Sequence, residues 1–146
     1  MATADTSAFE SLYHDMETVV QRCDYGPMLE QFQQVIAQGE EVAFRAQSTP
    51  GGVPWAPLAE STVRRKGHAY ILVDTGDLAS SLIDVDGPGN INATNSHGLM
   101  FGTDVEYAIF HETGTSRMPA RPAVGMSDET LDDLCERVAR ATIDSL

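Results

Sequence analysis

Asp74-Thr75-Gly76 offers the sharpest chemistry in the chain, because the apolar run Tyr70-Ile71-Leu72-Val73 leads into it. An apolar strand ending in Asp-Thr-Gly is how retroviral-type aspartic proteases present one carboxylate of a dyad. Two chains then supply the pair that shares a proton. Here the next residue is Asp77, which would set a second charge beside that dyad. Those enzymes also brace the active loop with a later apolar-apolar-Gly step, for which Ala123-Val124-Gly125 is a poor match. The plainer reading is a polar turn ahead of a strand from Leu78 to Val85, with Leu78, Leu82 and Val85 as its apolar positions.

His111-Glu112-Thr113-Gly114 opens like the zinc-protease H-E-x-x-H motif, but Thr115 stands where the second histidine is needed. A catalytic zinc takes three protein ligands, and His14, His68 and His97 show no ligand spacing. Gly51-Gly52 and Gly87-Pro88-Gly89 lack the Lys-Ser/Thr or helix context of a phosphate loop and read as turns. No Ser or Cys sits in a nucleophile elbow. Arg64-Arg65-Lys66 is the only basic cluster, and three bases in a row more often form a solvated helix face than a phosphate contact. The residues therefore assign no catalytic, cofactor or metal site, and the expectation is a protein that is not an enzyme.

Positioning elements follow from periodicity. Residues 1–8 look frayed. Phe9, Leu12, Met16, Val19 and Val20 recur at helical spacing until Asp24-Tyr25-Gly26-Pro27 ends the run. Pro27 suits the first turn of a second helix, whose stripe from Met28 to Ala43 predicts a helix to Ala46. A breaker-rich loop, residues 48–54, delivers the single tryptophan, Trp55. Ala59–Lys66 predicts a short helix, and short strands are expected near Ile91–Thr94 and Gly98–Gly102. Val105–His111 predicts another short helix with Tyr107-Ala108 in the core, followed by a loop from Thr113 to Pro122. Ser127, with Asp128 and Glu129 behind it, caps a last helix carrying Leu131, Leu134, Cys135 and Val138 on one face. The fold class is thus α+β, a small antiparallel or mixed sheet packed against a long N-terminal helix and a C-terminal helix. Residues 1–26 read as an acidic helical extension of a domain spanning 27–146.

Nine Lys+Arg stand against 22 Asp+Glu, a formal net charge of −13 that argues against gripping nucleic acid by overall charge. No apolar run approaches the ~20 residues of a membrane span, and the acidic opening MATADTSAFE lacks signal-peptide character. Cys23 and Cys135 are too few for a disulfide scaffold and too far apart for a zinc knuckle, so reduced, packed thiols are expected.

In order along the chain come Gly52-Val53-Pro54-Trp55-Ala56-Pro57-Leu58, then Thr62 and Lys66. Ile71-Leu72-Val73-Asp74-Thr75-Gly76-Asp77-Leu78 follows with Ser80 and Ser81, and then Phe101-Gly102-Thr103-Asp104-Val105-Glu106-Tyr107-Ala108 and His111. Gly114 and Met118-Pro119-Ala120-Arg121-Pro122 close the series. This series resembles the phage virion morphogenesis family, the tail-completion proteins of tailed bacteriophages. The resemblance covers about residues 27–144 and leaves the helix at 5–24 outside it. Ala123-Val124-Gly125 departs from it, replacing a bulkier apolar step.

What the resemblance implies is a structural virion protein of the tail or neck, assembled in the host cytoplasm. It would complete the tail or join it to the head connector as a subunit of a ring, a hexamer of identical chains. Its partners would be neck or connector proteins and tail-tube or tail-terminator proteins, with DNA only passing through the channel and no membrane. The expected contact residues are Trp55, Leu58, Arg64, Lys66, Arg117, Pro119 and Arg121, Trp55 being read equally as a core lid. An aspartic protease dimer acting through Asp74-Thr75-Gly76 is the alternative.

Overall fold

The computed structural model describes residues 7–145, so the expectation of fraying at residues 1–6 lies outside the described residues, while Ser7 and Ala8 are already helical. Helix α1 (Ser7–Arg22) leads into α2 (Gly26–Ala46), the longest element. Pro27 occupies the first turn of α2, and Gln47 ends the helix in the left-handed conformation. Leu29, Phe32, Ile36, Ala37, Glu40, Ala43 and Phe44 are its buried positions, a stripe at three- and four-residue steps that faces the rest of the chain.

Two core clusters lie along α2. The first gathers Phe44, Trp55, Ile71, Leu78, Leu82, Ala108 and Ala123. Burying a side chain such as Leu78 or Leu82 stabilises by roughly 1.5–3 kcal/mol. The second cluster holds Cys23, Tyr25 and Leu29, with Val19, Leu99, Leu134, Val138 and Ala141 packed against it. Its polar rim is satisfied. The Tyr25 hydroxyl bonds Thr142 Oγ1 at 2.7 Å, and Tyr25 N donates to Ser96 O at 2.9 Å.

Gln47 ties the end of α2 to two later segments. Its side-chain Oε1 accepts from Ile71 N, and its carbonyl accepts from Trp55 N at 3.0 Å. Trp55 then packs edge-on against Phe44, with ring centroids 5.3 Å apart, and its indole N–H donates to Pro122 O at 2.8 Å. Helix α3 (Glu60–Lys66) follows, bearing out the short helix expected there.

The segment expected as a strand from Leu78 to Val85 is instead helix α4 (Asp77–Ile83). The steps from Leu78 to Leu82 and on to Val85 are four and three residues, which is helix spacing rather than a strand's alternation. Gly76, at φ +98°, makes the reversal that starts the helix, and Leu78, Ser81 and Leu82 are its buried residues. Ser81 Oγ donates to Leu78 O at 2.9 Å and pairs with Thr103 Oγ1 at 2.7 Å, which fixes α4 to the sheet.

That sheet is a hairpin of β1 (Asn90–Asn95) and β2 (Gly98–Thr103), antiparallel, with Asn95 opposite Gly98 and Asn90 opposite Thr103. Both expected strands are present, each slightly longer than the apolar pattern alone indicated. Helix α5 (Ala108–Thr113) begins three residues after the expected start. Thr103 Oγ1 accepts from Val105 N at 3.1 Å and holds the intervening residues in a turn. In consequence Ala108 enters the core while Tyr107 stays 42% exposed, correcting its expected burial.

Helix α6 (Asp128–Asp144) is capped as the sequence indicates, with Ser127 Oγ accepting from Thr130 N at 3.1 Å. Of the two free cysteines, Cys23 is buried and Cys135 exposed, so only Cys23 is the packed thiol expected. No helix among the described residues is long and apolar enough to cross a membrane.

Candidate functional site

Four segments surround a cleft of about 750 Å³: α3 with the residues before it, the stretch from Leu72 to Asp77, α5 with Tyr107, and the loop from Arg117 to Arg121. Each wall follows from local sequence. Along α3, Thr62, Arg65 and Lys66 stand at three- and four-residue steps and line the cleft together, while Arg64 points elsewhere and pairs with Glu60 at 3.4 Å. The loop closes on itself through the Thr115–Met118 bridge. Gly114 is required there: its φ is +71°, and a Cβ would lie 2.8 Å from Ala120 N and 3.0 Å from Met118 O.

Arg121 forms the deep end. It is 4% exposed, and its Nε donates to Ala56 O at 2.7 Å and its Nη2 to Pro57 O at 2.9 Å. Its backbone N–H donates to His111 O at 2.6 Å, which fastens the loop to α5. Burial pushes the guanidinium below its ordinary value. Nearby, Lys66 Nζ donates to Tyr70 O at 2.7 Å, and burial lowers its pKa too. His111 is held below the usual imidazole range by burial first and by the Arg121 charge second, and its Nδ1 is buried without a partner among the described residues. At neutral pH His111 is therefore uncharged, and the local charge comes from Arg121, Lys66 and the rim.

On the rim, Arg65 approaches Asp74 at 3.9 Å with both side chains well exposed, a pair worth ~0–1 kcal/mol. Leu58, Leu72, Met118 and Pro119 supply apolar wall between the charged groups. Such a surface can hold a partner through a few apolar side chains and fixed cations.

Behind the cleft, two carboxylates grip one stretch of backbone. Glu112 Oε1 accepts from Ala123 N at 2.7 Å and Val124 N at 2.9 Å, while Glu40 Oε1 accepts from Gly125 N at 3.0 Å. The small Ala123-Val124-Gly125 step is thus the stretch these acids hold. Glu40 has no exposed surface, its Oε2 lacks a partner among the described residues, and burial pushes its pKa up to about 8.

Of the expected contact residues, Leu58, Lys66, Arg117, Pro119 and Arg121 all line this one cleft. Trp55 does not: at 5% exposure it belongs to the core of the chain. Arg121 lies inside its own chain, so its first task is to hold the loop, and only its inner edge faces the cleft. Arg64 lies outside.

Sequence reasoning missed Arg65, the neighbour on the correct face, as well as Tyr107 and His111 as cleft residues. The offsets from Thr62 were the available signal for Arg65. It also missed Glu40, an acid at a stripe position four residues after Ile36.

Residues 70–76 form turns and bends instead of a strand, and the Asp74 side chain is 62% exposed beside Arg65. No group of His, Cys, Asp and Glu among the described residues is arranged to hold a metal ion.

No curated protein and no solved structure matches the chain. A model of the phage virion morphogenesis family matches residues 5–142, so the match takes in α1, which the sequence reading left outside the resemblance.

Proposed function

The chain belongs to the phage virion morphogenesis family, and from that premise we propose that it is a non-enzymatic subunit of a ring in the phage neck. In this reading it completes the tail or joins it to the head connector, as one of a hexamer of identical chains. Its neighbours would be neck or connector proteins on one side and tail-tube or terminator proteins on the other. A role in building the phage particle follows from the family itself; the neck position and the ring are the finer reading. The observation that carries it is the cleft. Motifs scattered from Leu58 to Arg121 converge there on a surface that offers a partner cations and apolar wall. The net charge of −13 also suits a channel through which DNA slides without sticking.

A phage with this gene interrupted tests the reading by electron microscopy of the lysate. The expected result is filled heads and separate tails in normal numbers that fail to join. Adding the purified chain to that lysate should restore infectious particles. Complete, joined particles without the protein would overturn it.

A further inference from the structure

Four cations, Arg65, Lys66, Arg117 and Arg121, line the cleft against two acids, Asp74 and Asp77, so positive charge is in excess there. Arg121 is 4% exposed, and among the described residues its guanidinium bonds only the carbonyls of Ala56 and Pro57. Neither it, Lys66 nor Arg117 has a carboxylate within ion-pair distance among the described residues, although Asp74, whose charge acts on Lys66, and Asp77 line the same cleft. A guanidinium has five N–H donors, and a buried cation without a counter-ion is costly. A carboxylate brought from outside would complete it.

A complementary surface lies at the start of α6. Asp128, Leu131 and Asp132 stand at three- and four-residue steps on one face. Farther along, Asp133 and Glu136 are engaged by Arg137 and Arg140 at 2.9 and 2.6 Å, whereas Asp128 and Asp132 have no cation partner among the described residues. Leu131 between them is 46% exposed, because α6 packs inward through Leu134, Val138 and Ala141.

We propose that the cleft receives the start of α6 from a second copy of the chain. Asp128 and Asp132 then meet Arg117, Lys66 and Arg121, and Leu131 rests on the apolar wall. This names the contact of the ring subunit proposed above and rests on that reading. Cleft and helix are different surfaces, so the contact is head-to-tail, and a head-to-tail contact closes into a ring when its rotation permits. With so acidic a chain, one local match of opposite charge also selects a single register among copies that otherwise repel.

Sedimentation velocity on the full chain tests this with Arg117→Glu and Asp132→Arg, both at exposed positions, each checked for an unchanged thermal melt. Arg117→Gln and Asp132→Asn replace them if reversal disturbs folding. Each reversal should weaken self-association about 10-fold or more. Mixing the two reversed variants in equal amounts should restore it, because each reversed helix then meets a reversed cleft and each native helix a native one.

Unchanged association of both variants, or a mixture that stays apart, overturns the cleft contact while leaving a ring built through other surfaces. A native chain that remains monomeric at all concentrations overturns the contact and the ring together. Loss of duplex-DNA binding in Arg117→Glu with self-association intact assigns the cleft to phosphate and overturns the proposal.

Discussion

Glu40 is wholly enclosed, and its two oxygens fare differently: one accepts from Gly125 N at 3.0 Å and the other has no partner among the described residues. Burial raises its pKa from 4.5 to about 8, with the Glu112 charge adding to the shift. The folded state therefore binds this proton more tightly than the unfolded chain does. The resulting stability is complete below pH 4.5 and is lost as pH rises through about 8. Within that window the slope is about 1.4 kcal/mol per pH unit. Glu40→Gln keeps an acceptor for Gly125 and removes the titration. Denaturant melts from pH 5 to 9 should show the native chain losing stability relative to Glu40→Gln as pH rises. Parallel curves would mean that Glu40 is ionised and compensated in the fold. Residues of this kind were only half legible beforehand. An acid on an apolar stripe is visible in the sequence, but which backbone N–H it meets depends on Gly125, far along the chain. Trp55 and Arg121 were legible as important and not as internal, since proline-flanked loops carry either kind.

Among the elements, α1 changes its standing most. Its last turn and the residues after it deliver Val19, Cys23 and Tyr25 against Leu29, Leu134 and Val138. Starting the chain at Pro27 strips Val19, Cys23 and Tyr25 from that half of α6 and leaves Met28, Leu29 and Leu99, and no residue of α6 is itself fully buried. The truncated chain should therefore lose helical signal beyond that of the deleted residues and melt in a broader transition, measured by circular dichroism. A melt as sharp as the full chain's would show residues 1–26 to be the appended extension that their composition suggests. The hairpin was legible because its apolar positions and turn are local. α4 was misread because a seven-residue helix offers too few turns for its period to stand out, and the Gly76 reversal that starts it resembles any polar turn.

At the scale of the whole molecule, two electrostatic effects of opposite sign act on assembly. Copies carrying −13 repel one another over a Debye length of ~30 Å at 0.01 M salt, which shrinks to ~8 Å at 0.15 M. Local pairing in the cleft is screened more gradually, because Arg121 is buried. Self-association followed by sedimentation equilibrium should therefore rise as salt is added from very low levels, pass a maximum, and decline. A steady decline from the lowest salt would show that repulsion between copies is negligible. A steady rise would show an interface held by apolar contact alone.

Trp55 gives the molecule a built-in optical gauge. As the single indole, shielded from water against Phe44 and hydrogen-bonded to Pro122, it should emit at the blue end of the tryptophan range. A red shift would then report the parting of α2 from the loop that carries Arg121. Because the ring lies outside the cleft, a neighbour docking there would leave the emission nearly unchanged. Colour would register unfolding and rotational anisotropy would register assembly, from the same fluorophore in one titration.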